Sequence, residues 1–161
     1  MHGNTIDNTV TMTEIVLPND TNPLGILLGG RLLYWMDIAA AICAQNHAGR
    51  VAVTASIDSI SFECPIKIGD VAYIIARPTR VFRTSMEIQV EVFKKETGSK
   101  TRQKTNAAYF TFVALDENGC PVSIEPVFPE NAEEKILFDS ALERRNRRIN
   151  EGKANVTTCA N

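Results

Sequence analysis

Arg31-Leu32-Leu33-Tyr34-Trp35-Met36-Asp37-Ile38-Ala39-Ala40-Ala41-Ile42-Cys43-Ala44-Gln45-Asn46 is the stretch that decides the fold. It holds no proline or glycine, and Leu, Met and Ala, all good helix formers, dominate it. Apolar side chains fall on nearly every side of the helix this predicts, including Leu32, Leu33, Trp35, Met36, Ile38 and Ile42. A helix apolar all round is a buried helix. Gly49 is placed to stop it.

Beyond Gly49 the period changes to two. Val51, Val53, Ala55 and Ile57 alternate with small or polar residues, which predicts a strand running towards Phe62. Val71 to Arg80, Met86 to Phe93 and Thr105 to Leu115 read as three more strands. A corner at Arg83, then Glu96-Thr97-Gly98-Ser99, then Asp116-Glu117-Asn118-Gly119 punctuate them. On the last strand Ala107, Tyr109, Thr111 and Val113 share one face, and Ala108, Phe110, Phe112 and Ala114 the other. Both faces are largely apolar, so this strand belongs inside the sheet.

Upstream, Met12 to Leu17 is a short strand closed by Pro18-Asn19-Asp20. Downstream, Ala132 to Asn150 reads as a helix. Glu130, Glu133 and Glu134 open it, and Arg144, Arg145, Arg147 and Arg148 close it, matching the sign of the helix dipole. One helix buried beside a single sheet must be wrapped by that sheet. The fold class is therefore α+β, a curved antiparallel sheet around one long helix with a second helix on the surface. The implied organisation is a flexible N-terminus over 1–9, one domain over 10–128, a C-terminal helix over 129–150 and a disordered tail over 151–161.

Composition narrows the function classes. The 161 residues are 44% hydrophobic and 22% charged, which excludes wholesale disorder. Seventeen basic against nineteen acidic residues give a net charge of −2, which argues against a general nucleic-acid partner. Cys43, Cys64, Cys120 and Cys159 form no CxxC or CxxH pair, so no metal site and no redox pair is expected. Met1 to Val10 lacks the apolar run of a signal peptide. Leu32 to Ala48 is broken by Asp37 and too short to span a bilayer. A cytoplasmic protein without a membrane partner is expected.

The chemistry centres on Asn22-x-x-Gly25-x-x-x-Gly29-Gly30, leading into the long helix. Glycines at 29 and 30 let a ligand approach the backbone closely. The first amides of the helix have no intrahelical partner and carry the positive end of its dipole. They can hold a phosphate or the oxyanion of an attacked carbonyl. The spacing is neither GxGxxG nor a phosphate loop, so an acyl-transfer oxyanion hole at Gly29 and Gly30 is the better match. Asp37, among Leu33, Met36, Ile38, Ala40 and Ala41, is expected to leave water for an apolar setting.

Gly30 and Asp37 are seven residues apart, roughly 10 Å along a helix axis. A carboxylate and an oxyanion hole acting on one carbonyl must be closer than that. Two such helices, antiparallel about a two-fold axis, bring Gly30 of one protomer to Asp37 of the other. A homodimer with shared sites follows.

The joint pattern resembles the hotdog-fold acyl-CoA thioesterases, particularly the cytosolic (brain-type) acyl-CoA hydrolases and their bacterial relatives. The likeness is carried by the Asn22 to Asp37 run, by Ser61-Phe62-x-x-Pro65-x-x-x-Gly69-Asp70, by Arg83-Thr84-Ser85-Met86 and by the Glu/Arg-rich helix after Pro129. It covers about residues 10 to 148. The resemblance implies acyl-CoA hydrolysis without a separate cofactor, coenzyme A being part of substrate and product. It further implies Asp37 as general base or nucleophile, Asn22 as its partner across the dimer, and assembly as a trimer of dimers. Glycine is common in the family where Phe82 stands here.

Arg83, Thr84 and Ser85 offer a guanidinium and two hydroxyls to the phosphates of coenzyme A. Lys94 and Lys95 read as a solvated strand end, and His47 as a favourable cation in the last helical turn. A hotdog hydratase or dehydratase would need a site histidine, and His2 and His47 are the chain's two histidines. A non-catalytic acyl-CoA binder is the reading from a different class.

Overall fold

A computed structural model describes residues 8–158, with side chains described to residue 152. The elements run β1 (Val10–Ile15), α1 (Gly29–Ala48), β2 (Ala52–Asp58), β3 (Val71–Val81), β4 (Ser85–Lys95), β5 (Gln103–Ala114) and α2 (Ala132–Thr158). A 3-10 turn over Pro18–Asp20 follows β1. The five strands form one antiparallel sheet in the order β1-β3-β4-β5-β2, so β5 is an interior strand as its two faces predict. α1 touches all five strands. Its buried residues Leu32, Trp35, Met36, Ala39, Ala40, Cys43 and Ala44 meet Ile74, Ile88, Val90, Phe110 and Phe112 on the inner face of the sheet.

α1 is not covered on every side. Tyr34 and Ile42 are exposed, and the neighbouring edge strand β2 exposes Val53 and Ile57. The expected all-round burial of the helix therefore holds for its sheet side alone within one protomer. Gly49 caps α1 at φ 64°, a left-handed conformation that suits glycine, and its amide bonds the Gln45 carbonyl.

β2 departs from simple alternation. Its register against β5 shifts between Thr54 and Ser56, the mark of a bulge at Ala55. The side-chain phase inverts there. Thr54, opposite Phe112, faces α1, whereas Ser56 and Asp58, opposite Thr111 and Tyr109, face α2. The strand ends at Asp58, short of Phe62, and Ser59 follows with φ 56°.

The outer face of the sheet, under α2, is polar. Glu87 is 2% exposed. It accepts hydrogen bonds from Arg144 Nε at 2.9 Å and Nη2 at 2.7 Å, and from Thr79 Oγ1 at 2.6 Å. Arg148 Nη1 donates to Asp58 Oδ2 at 2.6 Å, and Arg144 lies 3.6 Å from the Tyr109 ring centroid. Burial lowers the pKa of the Arg144 guanidinium, but the hydrogen bonds and charge of Glu87, with Tyr109 and Asp58, more than offset it, so the net shift is upward.

These contacts correct three sequence expectations. The arginine cluster does not complement a helix end: α2 continues to Thr158, Arg144 and Arg148 sit mid-helix, and both are ion-paired to the sheet. The tail placed at 151–161 is helical as far as Thr158, because one glycine at 152 costs a helix only about 1 kcal/mol and no proline intervenes. Lys94 is buried rather than solvated, its Nζ donating to the Pro65 carbonyl and to Glu96.

At the other end of the chain, Asn8 is tied down by His47 and Cys43, so the flexible segment placed at 1–9 does not extend to it. Residues 1–7 and 159–161, with His2 and Cys159, lie outside the described residues. Among the described residues, Cys64 and Cys120 are free thiols, and no helix is long and apolar enough to cross a membrane.

Candidate active site

Asp37 lies in the third turn of α1, on the side that faces the edge strand. It is half-buried, not sunk in apolar surroundings as its helix neighbours suggest, because the sheet leaves this side of α1 uncovered. Oδ1 accepts a hydrogen bond from Thr54 Oγ1 at 2.7 Å. Oδ2 has no protein partner among the described residues. The carboxylate is thus held by one oxygen and open at the other. Thr54 is the candidate site residue that sequence reading missed. A single threonine in a strand carries no signal, and the bulge that turns it towards α1 is a property of pairing.

Asn22 governs the loop before α1. Its Oδ1 accepts from the amides of Leu24 at 2.9 Å and Ile26 at 3.1 Å, while its backbone bonds Ile26 and Gly25. These are turn-building contacts, and Gly25 completes the turn at φ 70°. The carboxamide Nδ2 has no partner among the described residues and remains a donor. Leu27 and Ile68 tie the loop to the segment before β3, and Arg31 pairs with Asp20 at 3.1 Å.

α1 opens at Gly29, with Leu28 as the capping residue. The Leu28 carbonyl takes the amides of both Arg31 and Leu32. The amides of Gly29 and Gly30 have no partner among the described residues, as expected of the first positions of a helix. The two glycines differ sterically. A Cβ on Gly29 would lie 3.1 Å from Cζ of Phe62, so that glycine lets the aromatic ring close over the helix start. Nothing stands within 4 Å of a Cβ on Gly30, which leaves its amide approachable. A cavity of about 330 Å³ lies beside Gly29, walled by Leu27, Leu32, Phe62, Ile66 and Asn106.

Arg83-Thr84-Ser85 forms the β3–β4 corner. The Phe82 amide bonds the Ser85 carbonyl at 2.7 Å, and the Ile124 amide bonds the Arg83 carbonyl at 3.2 Å. Arg83 is exposed and the two hydroxyl residues are half-buried. Thr54 pairs with Phe112, and Phe112 with Met86, so the corner lies two strand spacings, about 10 Å, from the Thr54–Asp37 contact.

One protomer therefore brings Asp37 together with Thr54 but keeps Gly29 and Gly30 about 10 Å or more away along α1, and Asn22 makes its contacts within its own loop. His47 stands ten residues from Asp37, about 15 Å along α1. Its Nδ1 faces the Asn8 carboxamide nitrogen at 3.0 Å and its Nε2 the Glu125 carbonyl at 2.9 Å. Through these two contacts the ring clamps the segment before β1 and the segment after β5 to the end of α1.

Known proteins resemble this chain in sequence and in fold. The Thioesterase superfamily pattern matches residues 24–101. The acyl-CoA thioester hydrolase YkhA of Bacillus subtilis is 40% identical over 144 residues, covering 89% of this chain and 84% of that protein. The chain belongs to the acyl-CoA thioester hydrolases of the thioesterase superfamily. A mouse acetyl-coenzyme A thioesterase is 36% identical over 140 residues, and there the chain spans about a quarter of the relative's length.

Among solved structures of the superfamily, an acyl-CoA hydrolase from Staphylococcus aureus, in complex with butyryl coenzyme A, coenzyme A and coenzyme A disulfide, superposes with a TM-score of 0.87 at 36% identity, covering 96% of each chain. A hexameric acyl-CoA thioesterase superposes with a TM-score of 0.86 at 37% identity, covering 90% of this chain and 93% of that one. The S. aureus series includes alanine variants of an asparagine, an aspartate and a threonine spaced 15 and 17 residues apart. Asn22, Asp37 and Thr54 have the same spacing in this hydrolase.

Proposed function

We propose that this chain hydrolyses acyl-CoA to a free acid and coenzyme A at a site shared between two protomers. The observation that carries the assignment is the Asp37 carboxylate, held by Thr54 through Oδ1 at 2.7 Å with Oδ2 unpartnered among the described residues. Fixed by one oxygen, it can take a proton with the other. A water bonded to Oδ2 attacks the thioester carbonyl carbon, and its proton passes to Asp37. The carbonyl oxygen becomes an oxyanion accepted by the Gly30 amide, with the Gly29 amide beside it. The thiolate of coenzyme A then leaves, and a thiolate needs little help from an acid. Asn22 Nδ2 positions the water or the carbonyl.

Gly30 and Asp37 of one chain are too far apart to act on one carbonyl, so the amides and Asn22 come from the partner. The uncovered side of α1 and the exposed edge of β2 are the surfaces that dimer would cover, and a trimer of dimers is the assembly the family resemblance implies. Arg83, Thr84 and Ser85 hold phosphate oxygens of coenzyme A. The hydratase reading fares worse, because His47 is engaged at both nitrogens away from Asp37.

Thiol release from acyl-CoA tests the assignment. Asp37→Ala is expected to lower kcat about a hundredfold or more with the fold retained. Near wild-type turnover by the purified variant would refute the role of Asp37. Binding of acyl-CoA by the wild-type chain without any thiol release would establish the non-catalytic binder instead.

A further inference from the structure

The row of β5 that faces α1 runs Asn106, Ala108, Phe110, Phe112 and Ala114, and every member is buried. Asn106 is the one polar residue in that row, and it is 4% exposed. A carboxamide taken out of water costs stability unless both of its ends find partners. Asn106 Nδ2 donates to the Ser61 carbonyl. A carbonyl can only accept, so the nitrogen is fixed at that end. Oδ1 is the buried atom left over, with no hydrogen-bond partner among the described residues.

Asn106 also lines the cavity of about 330 Å³ beside Gly29. Leu27, Leu32, Phe62 and Ile66 make most of the remaining wall, and the Cys64 thiol in it faces Gln103 Nε2 at 3.7 Å. Apolar walls with one placed polar group are the make-up of a small-molecule subsite, in which the walls hold the ligand and the polar group selects it. The position of the chamber says which part of the substrate enters it. Asp37 and the Arg83–Ser85 corner of one protomer lie on one side of the thioester, and the Gly29 and Gly30 amides of the other protomer lie opposite. The coenzyme A arm leaves towards the corner, so the acyl group runs past the amides into the chamber beside Gly29.

We propose that Asn106 Oδ1 selects the acyl group by accepting a hydrogen bond from a hydroxyl carried on it, so that the preferred substrates are hydroxyacyl-CoA thioesters. The proposal rests on the thioesterase reading and deepens it by naming the acyl class. An unsubstituted acyl group has no donor. It fills the apolar walls and leaves Oδ1 buried and unpaired, and a stranded polar atom is what lets a site reject the analogue that lacks its partner. A hydroxyl on the acyl group supplies that partner. Asn106 does not touch the reacting carbonyl, so its effect appears as a ratio between substrates and not as a loss of the chemical step.

The test measures kcat/KM for acyl-CoA thioesters of one chain length, either unsubstituted or hydroxylated at the second, third or terminal carbon. Wild type is expected to favour at least one hydroxylated thioester about tenfold over the unsubstituted one. In Asn106→Ala that ratio should fall to within about twofold of unity, with the unsubstituted thioester still hydrolysed. Both substrates are measured on the same variant, so a general loss from the broken Ser61 contact cancels in the ratio. Asn106→Leu, which refills the volume with an apolar side chain, should give the same ratio and serves where Asn106→Ala fails to fold. Absence of any preference in wild type would overturn the proposal and leave Oδ1 to ordered water or a partner protomer. A preference retained in the variants would overturn it as well, even with activity lowered on every substrate, because Asn106 would then act on what all of them share. If wild type hydrolyses none of the thioesters, the thioesterase reading itself fails, an outcome distinct from either of these.

Discussion

Replacing Thr54 by valine removes one hydroxyl and keeps the shape of the side chain. The hydroxyl donates to Asp37 Oδ1 at 2.7 Å, a bond to a group that is ionised when it acts as a base. Hydrogen bonds to charged groups contribute about 1.5–3 kcal/mol, and each 1.36 kcal/mol is tenfold in rate. If the bond serves to aim Oδ2, its loss should lower kcat by about ten- to a hundredfold. Within a single protomer the contact lies near the surface, where water can replace the lost donor, and that favours the lower figure. A second protomer covering the edge strand would exclude that water and favour the higher one. KM should change little, because Thr54 touches the base and not the substrate. Thiol release under saturating acyl-CoA measures the effect, and Thr54→Ser, which restores the donor, should recover most of the loss. Thr54→Val with kcat within twofold of wild type would refute the aiming role.

Three further outcomes are expected. Glu87→Ala leaves the Arg144 guanidinium buried and unpaired, a loss of about 3–5 kcal/mol, so Tm should fall by about 6–20 °C, while the Glu87→Leu/Arg144→Met pair should fall far less. A thermal shift below about 3 °C for the single variant would contradict the buried pair. Gly30→Ala meets open space and should not lower Tm, yet its methyl group stands where the oxyanion approaches and kcat should drop; unchanged turnover would remove Gly30 from the site. Mixing Asn22→Ala with Asp37→Ala subunits makes about half the dimers mixed, each with one intact site, so activity should return to roughly a quarter of wild type. No recovery despite proven subunit exchange would reject the shared site.

The long helix, the strand order of punctuation and the two faces of β5 were legible because each repeats a simple period over many residues. Asp37, Asn22, Gly29 and Gly30 stood out through their spacing around a helix start. What stayed hidden depends on pairing across the chain. The bulge at Ala55 inverts the phase of β2, so Val51, Val53, Ala55 and Ile57, which period two would place on one face, are divided between both. Thr54 faces Asp37 only because of that inversion. Arg144 and Arg148 resembled a helix end, because their partners Glu87 and Asp58 lie 57 and 90 residues earlier in the chain. The burial expected of Asp37 failed because a sequence cannot tell which side of an apolar helix its own sheet will cover.

The polar underside of α2 sets how that helix can change. Arg144 and Arg148 are four residues apart and reach separate strands, Glu87 on β4 and Asp58 on β2. An apolar stripe would hold a helix on its face while tolerating a slide of one turn. Two directional ion pairs to strands that are not neighbours tolerate neither a slide nor a roll. Insertions or deletions between Arg144 and Arg148 should therefore be disallowed, whereas a change of length beyond Arg148 leaves the alignment intact. A transplanted α2 from a relative will seat only if it brings both arginines at that interval and finds both acids waiting.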